Sequence, residues 1–118
     1  MADHGIFLGW GDVVTARERQ AEMVFGEGIA YFTQLQEQGK IESFEPVLLR
    51  PHGGDLGGFM LIRGDRDALH EILASPEWER LSNRVQAIVH HYGVVDAFLG
   101  AETMRLVAAT EGYTSDLT

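Results

Sequence analysis

No cysteine occurs among the 118 residues, prolines number three, and basic side chains are half as many as acidic ones, nine against eighteen. Without cysteine there is no disulfide framework, no thiolate nucleophile and no cysteine zinc site. That fits a reducing compartment and makes the cytoplasm the expected location. The formal charge of −9 would repel a phosphate backbone over most of the surface, so nucleic acid is not an expected partner and the acidity serves solubility. Nowhere do the roughly 18 consecutive apolar residues of a membrane span occur. The short run Ile6–Trp10 has no basic region before it, so neither membrane insertion nor secretion is expected. Gly-x-Ser-x-Gly, a phosphate loop and a dinucleotide fingerprint are also missing. The glycine-rich Gly53-Gly54-Asp55-Leu56-Gly57-Gly58 lies between strands and reads as a turn.

What is present is an ordinary globular composition, 45% hydrophobic and 23% charged, in a length that builds one core. A single domain over residues 1–112 followed by a tail at 113–118 is the expected organisation. Its centre is Gly57–Gly64: Phe59 to Ile62 are four consecutive apolar residues between glycines, the pattern of a strand covered on both faces. Gly5–Trp10 has the length and residue types of a first strand, which Gly11-Asp12 ends. From about Thr15 to Gln38, Ala21, Phe25, Gly28, Ile29, Phe32 and Leu35 recur at spacings of three and four, which puts them on one helix face. Gly26 and Gly28 each cost this helix about 1 kcal/mol relative to alanine, a cost that a close approach of helix to sheet would explain. Gly39 ends the helix. Ile41–Arg50 is a strand that Pro46 confines to a sheet edge. Asp65 or Asp67 caps a helix with Leu69, Ile72 and Leu73 inward. Ser75-Pro76 starts another, carrying Trp78, Leu81, Val85, Ile88 and Val89. Val94–Leu99 is the last strand, and Ala101 to about Thr110 a terminal helix.

This order is that of an α+β, ferredoxin-like split βαβ fold with an antiparallel sheet and an extra C-terminal helix. Helices cover one face of such a sheet, yet the strands here are apolar on both parities and the chain has no spare element for the second face. A second copy is the expected cover, giving a homodimer of sheets packed face to face. The pattern resembles the dimeric α+β barrel superfamily. Within it, Gly57-Gly58-Phe59-Met60-Leu61-Ile62, Asp67-Ala68-Leu69 and Ser75-Pro76 are similar to the strand-to-helix segment of the YCII and DGPF-type proteins. The Asp-Gly-Pro-Phe sequence itself is absent, His52-Gly53-Gly54-Asp55 standing before the strand, so no branch-specific activity carries over.

The superfamily resemblance implies a small-molecule site in each barrel, used for binding or for cofactor-free proton transfer or monooxygenation of a small organic substrate. The alternative is a non-catalytic dimeric module that serves structure or protein interaction. Haem-degrading monooxygenases share the resemblance, using an asparagine on the first strand with a tryptophan and a histidine on the later helix. Trp78 and His90 answer to the last two, but Ile6–Trp10 contains no asparagine, and twelve residues of helix turn His90 about 120° from Trp78. No cofactor is expected. Nor is a metal: adjacent His90 and His91 diverge by about 100° on a helix, and no His-x-x-x-His spacing accompanies them.

Strand parity nominates the site. Val47, Leu49, Met60, Ile62, Val95, Ala97 and Leu99 are aliphatic and suit the face beneath the helices. The other parity holds Phe44, Leu48 and Arg50; Phe59, Leu61 and Arg63; and Val94, Asp96 and Phe98, and is assigned to the barrel interior. Arg63, Arg50 and Phe59 are the candidate ligand-binding residues. Arg63 and Asp96 are expected on one sheet face, where a guanidinium and a carboxylate would orient an anionic or polar ligand; the alternative is a structural pair that fixes strand register or the dimer. His52, in a glycine-rich loop at a strand end, is the candidate acid or base, with Asp96 as its catalytic companion.

Overall fold

The computed structural model describes residues 2–117. Along the chain run β1 (His4–Trp10), α1 (Glu18–Glu37), β2 (Ser43–Leu48), β3 (Gly58–Gly64), α2 (Arg66–Leu73), α3 (Pro76–Gln86), β4 (Gly93–Phe98) and α4 (Gly100–Thr114), with a 3-10 turn at Ser115–Leu117. Local chemistry sets most of these limits. The Asp65 carboxylate accepts from the Ala68 amide at 3.2 Å and caps α2, and the Ser75 hydroxyl accepts from the Trp78 amide at 3.3 Å ahead of Pro76. Gly39, at φ +73°, takes the left-handed turn that ends α1, and the Lys40 amide closes back on the Leu35 carbonyl. α4 runs beyond Thr110 to Thr114.

The four strands form one antiparallel sheet in the order β2-β3-β1-β4, with β3 lying between β1 and β2. This is the split βαβ arrangement of the ferredoxin-like α+β fold. Pro46 sits on the edge strand β2, where its missing donor costs nothing.

Residues opposite one another in an antiparallel ladder share a face. Ile6 and Leu8 stand opposite Ile62 and Met60, and all four are buried with Phe32, Leu35, Leu69, Trp78 and Leu81 in the core between sheet and helices. The other face carries Phe7, Phe59, Leu61, Val95 and Ala97. Phe7 and Phe59 stack there with ring centroids 5.2 Å apart. Among the described residues no helix buries these side chains: Phe7, Phe59, Leu61 and Ala97 are only half-buried and Val95 is exposed. α4 buries none of its own residues, and the radius of gyration, 16.3 Å, exceeds the ~13.5 Å expected of a compact chain of this length. No helix among the described residues is long and apolar enough to cross a membrane.

Register corrects the parity expectation on both edge strands. On β4, Asp96 stands opposite Ile6 and therefore faces the helices, while Val95 and Ala97, opposite Phe7 and Gly5, lie on the open face. On β2, Phe44, opposite Ile62, packs against Phe32 in the core, and Val47, opposite Phe59, is on the open face. Only β3 has the faces expected of it. Arg63, opposite Gly5, is on the open face, so Arg63 and Asp96 are separated by the sheet. An aliphatic parity marks the core only where both neighbours of a strand are also covered; β2 and β4 lie at the sheet margins, where a partly solvated aromatic or carboxylate is tolerated on either face.

Candidate functional site

An apolar pocket of about 320 Å³ lies between the helices and the Trp10 end of the sheet. β1 supplies Leu8 and Trp10, α1 supplies Phe25, Gly28 and Phe32, and α3 supplies Leu81 and Val85. Val13 and Val89, which form an isolated β-bridge, close one side, and Leu48 reaches in from β2. Among the described residues the one ionisable group in its wall is Glu22. Arg84 of α3 holds Glu27 of α1 through two contacts of 3.0 Å, a clamp that spans the two helices flanking the pocket. Beyond α3, the Tyr92 hydroxyl lies 2.8 Å from Ser82 Oγ, and burial pushes its phenol above the ordinary range, so the group stays neutral.

Two glycines make the pocket. A Cβ on Gly58 would fall 2.7 Å from the Trp10 ring and 2.8 Å from the Val47 carbonyl oxygen, so only glycine lets the indole lie across β3. Trp10 then meets Phe25 edge-on at 6.3 Å and forms one wall. Gly28 works in the opposite sense. It is buried on α1, yet a Cβ there would meet nothing within 4 Å. The helix therefore does not approach the sheet closely at Gly28 or at Gly26, contrary to expectation; the missing side chain at Gly28 leaves space that the pocket occupies. Gly58→Ala is expected to cost about 1–3 kcal/mol in urea unfolding, because the colliding partner is backbone as well as ring, and to displace the Trp10 wall.

The residues nominated from the sequence are not brought together. His52 is in the β2–β3 loop, its Nε2 2.7 Å from the Leu56 carbonyl oxygen, so the ring folds back on its own loop. Arg50 is exposed at the start of the same loop. Phe59 lies on the open sheet face against Phe7, and Arg63 lies on that face at the far end of β3 from His52. Asp96, on the helix side, is 3.5 Å from His70 Nε2 of α2. Trp78 is core, packed on Phe32. The pocket residues Trp10, Phe25, Gly28 and Val85 were visible in the sequence only as core positions. The signal that could have separated them is a helix glycine on the apolar face beside aromatic residues.

These features define a ferredoxin-like α+β protein with an apolar pocket between its sheet and its helices. No protein-family model matches the chain, and no curated protein matches it. Solved structures do. A cofactor-independent oxygenase, SnoaB from Streptomyces nogalater, is 22% identical, with a TM-score of 0.57 over 84% of this chain and 95% of its own. A dimeric ferredoxin-like protein of unknown function from Jannaschia sp. superposes with a TM-score of 0.60 at 15% identity, covering 82% of this chain and 98% of its own. A putative antibiotic biosynthesis monooxygenase from Bacteroides thetaiotaomicron gives 0.55 at 14% identity, over 80% and 88%. At these identities the likeness establishes the fold alone, a ferredoxin-like α+β fold. The resemblance to YCII-type proteins rests on the Gly57–Ile62 segment and its neighbours alone.

Proposed function

We propose that the protein is a homodimer that binds an apolar, ring-containing small molecule in the pocket between α1, α3 and the sheet of each protomer. The observation that carries this reading is the unfilled 320 Å³ space walled by Trp10, Phe25 and Phe32, a volume and lining typical of small-ligand sites. A module serving only structure has no use for a buried glycine that leaves such a space open. The pocket is on the helix side of the sheet rather than in the barrel interior, so the candidate ligand residues shift from Arg63 and Phe59 to the aromatic walls. The dimer rests on the uncovered face of Phe7, Phe59, Leu61 and Val95, and on the dimeric state of similarly folded proteins.

Likeness to a cofactor-independent oxygenase supports a catalytic extension of this reading. Oxygenation without a cofactor balances when the substrate supplies the electrons: an activated CH₂ and one O₂ give a carbonyl and one water. Loss of a substrate proton starts such a reaction, and Glu22 is the group in the pocket wall able to take it.

Gly28→Leu tests the pocket. The new side chain enters open space and replaces glycine by a better helix former, worth about 1 kcal/mol, so the variant is expected to be at least as stable as the wild type. Binding of a naphthalene-type fluorescent probe should be saturable in the wild type and weakened at least about tenfold in the variant. Undiminished binding in a stable Gly28→Leu protein would remove the site.

A further inference from the structure

At the other end of β1 a second cleft, of about 160 Å³, lies between β1, β4, α2 and the first turns of α4. Its ionisable lining is His4 from β1, Arg66 and His70 from α2, Asp96 from β4, and Glu102 and Arg105 from α4. Both carboxylates are engaged. Asp96 Oδ1 is 3.5 Å from His70 Nε2, and Arg105 Nε donates to Glu102 Oε1 at 2.7 Å. That hydrogen bond holds the Glu102 carboxyl below the usual range, and the charges of Arg105, His4 and Arg66 act in the same direction. Asp65, just before Arg66, is occupied in capping α2. Arg66 and His4 are therefore left without an ion-pair partner among the described residues. In a chain of net charge −9, this cleft presents a guanidinium with no carboxylate in direct contact, beside an imidazole.

We propose that this cleft is a binding site for a small organic carboxylate, distinct from the apolar pocket. The planar fork of Arg66 matches a carboxylate in two parallel hydrogen bonds, and His4 stands on the same cleft as a second donor. Ile6, Leu69 and Phe98 supply apolar wall for a short carbon tail, and His4 and Phe98 are already in edge contact at 6.1 Å. Asp96 and Glu102 repel a second negative charge, which favours a monoanion over a phosphate dianion. The volume is below the roughly 300–1,000 Å³ of drug-sized pockets, which selects an acid of a few carbon atoms. Asp96, nominated from the sequence for chemistry, belongs to this cleft, 3.5 Å from His70 Nε2. The six residue steps from His4 to Trp10 span about 20 Å of strand, so the two sites do not overlap.

Titration of the isotope-labelled protein with sodium butyrate, butyramide and inorganic phosphate, followed by amide NMR, tests the proposal. Butyrate should shift the amides of Ile6, Leu69 and Phe98 saturably while those of Trp10 and Phe25 stay in place. Butyramide, of the same shape without the charge, should leave all of them unmoved. Arg66→Gln, at an exposed position, should weaken butyrate binding about tenfold or more. Equal shifts with butyramide, no response to butyrate, undiminished binding by Arg66→Gln, or a stronger response to phosphate would each overturn the assignment. The butyramide comparison uses the wild-type chain and so is independent of how the variant folds. None of these outcomes alters probe binding at the apolar pocket.

Discussion

Replacing Phe32 by alanine is expected to lower the stability of the folded chain by about 3–5 kcal/mol, the usual cost of removing a buried aromatic ring. The ring is 3% exposed and sits where three elements meet: Tyr31 on its own helix at 5.2 Å, Phe44 of β2 at 5.9 Å and Trp78 of α3 at 6.0 Å. It also forms part of the pocket wall, so the void left by alanine adjoins existing empty space and has little around it able to collapse inward. For a domain of this size the melting temperature should fall by on the order of 15 °C. Thermal unfolding followed by circular dichroism, with urea unfolding alongside, measures both. A loss under about 1 kcal/mol would mean that α1 does not pack on the sheet through this residue.

Leu61→Asp should convert the protein from dimer to monomer. Leu61 stands opposite Phe7 on the uncovered face, next to the Phe7–Phe59 stack and near the centre of the sheet. In a face-to-face dimer the new carboxylate would be buried without a partner, which costs several kcal/mol and exceeds what most interfaces can absorb. In the isolated protomer the same carboxylate faces water and costs little. Light scattering coupled to size exclusion should give twice the chain mass for the wild type at low micromolar concentration and one chain mass for Leu61→Asp. Lys40→Ala, on the far side at the end of α1, should leave the mass unchanged. A well-folded wild-type monomer, or a Leu61→Asp dimer, would show that some other surface covers or fails to cover this face.

Some of this protein was determined by the sequence alone, because the causes are local. Asp65 and Ser75-Pro76 start helices through their own side chains and ring, Gly39 ends one through its positive φ, and Pro46 confines β2 to an edge because it has no amide to donate. The apolar spacing of α1 and the unbroken run Phe59–Ile62 likewise announce a helix face and an inner strand within one element, and together these signals lead to the ferredoxin-like order. The faces of β4 were decided only by tertiary structure. On β4 both parities carry apolar residues, so composition gives no preference, and a one-residue choice of register sends Asp96 to His70 on the helix side instead of to Arg63; on β2 the polar Ser43 and Glu45 share the parity of Val47 and do mark Phe44 as the inward side. The two candidate sites have the same origin. A pocket exists at Gly28 because residues remote in sequence fail to fill the space beside it, and a cleft collects His4, Arg66 and Asp96 because three elements end at one corner of the sheet. Neither is a property of any single stretch of chain; each is set by distances between elements, which arise only when the sheet pairs and the helices settle on it.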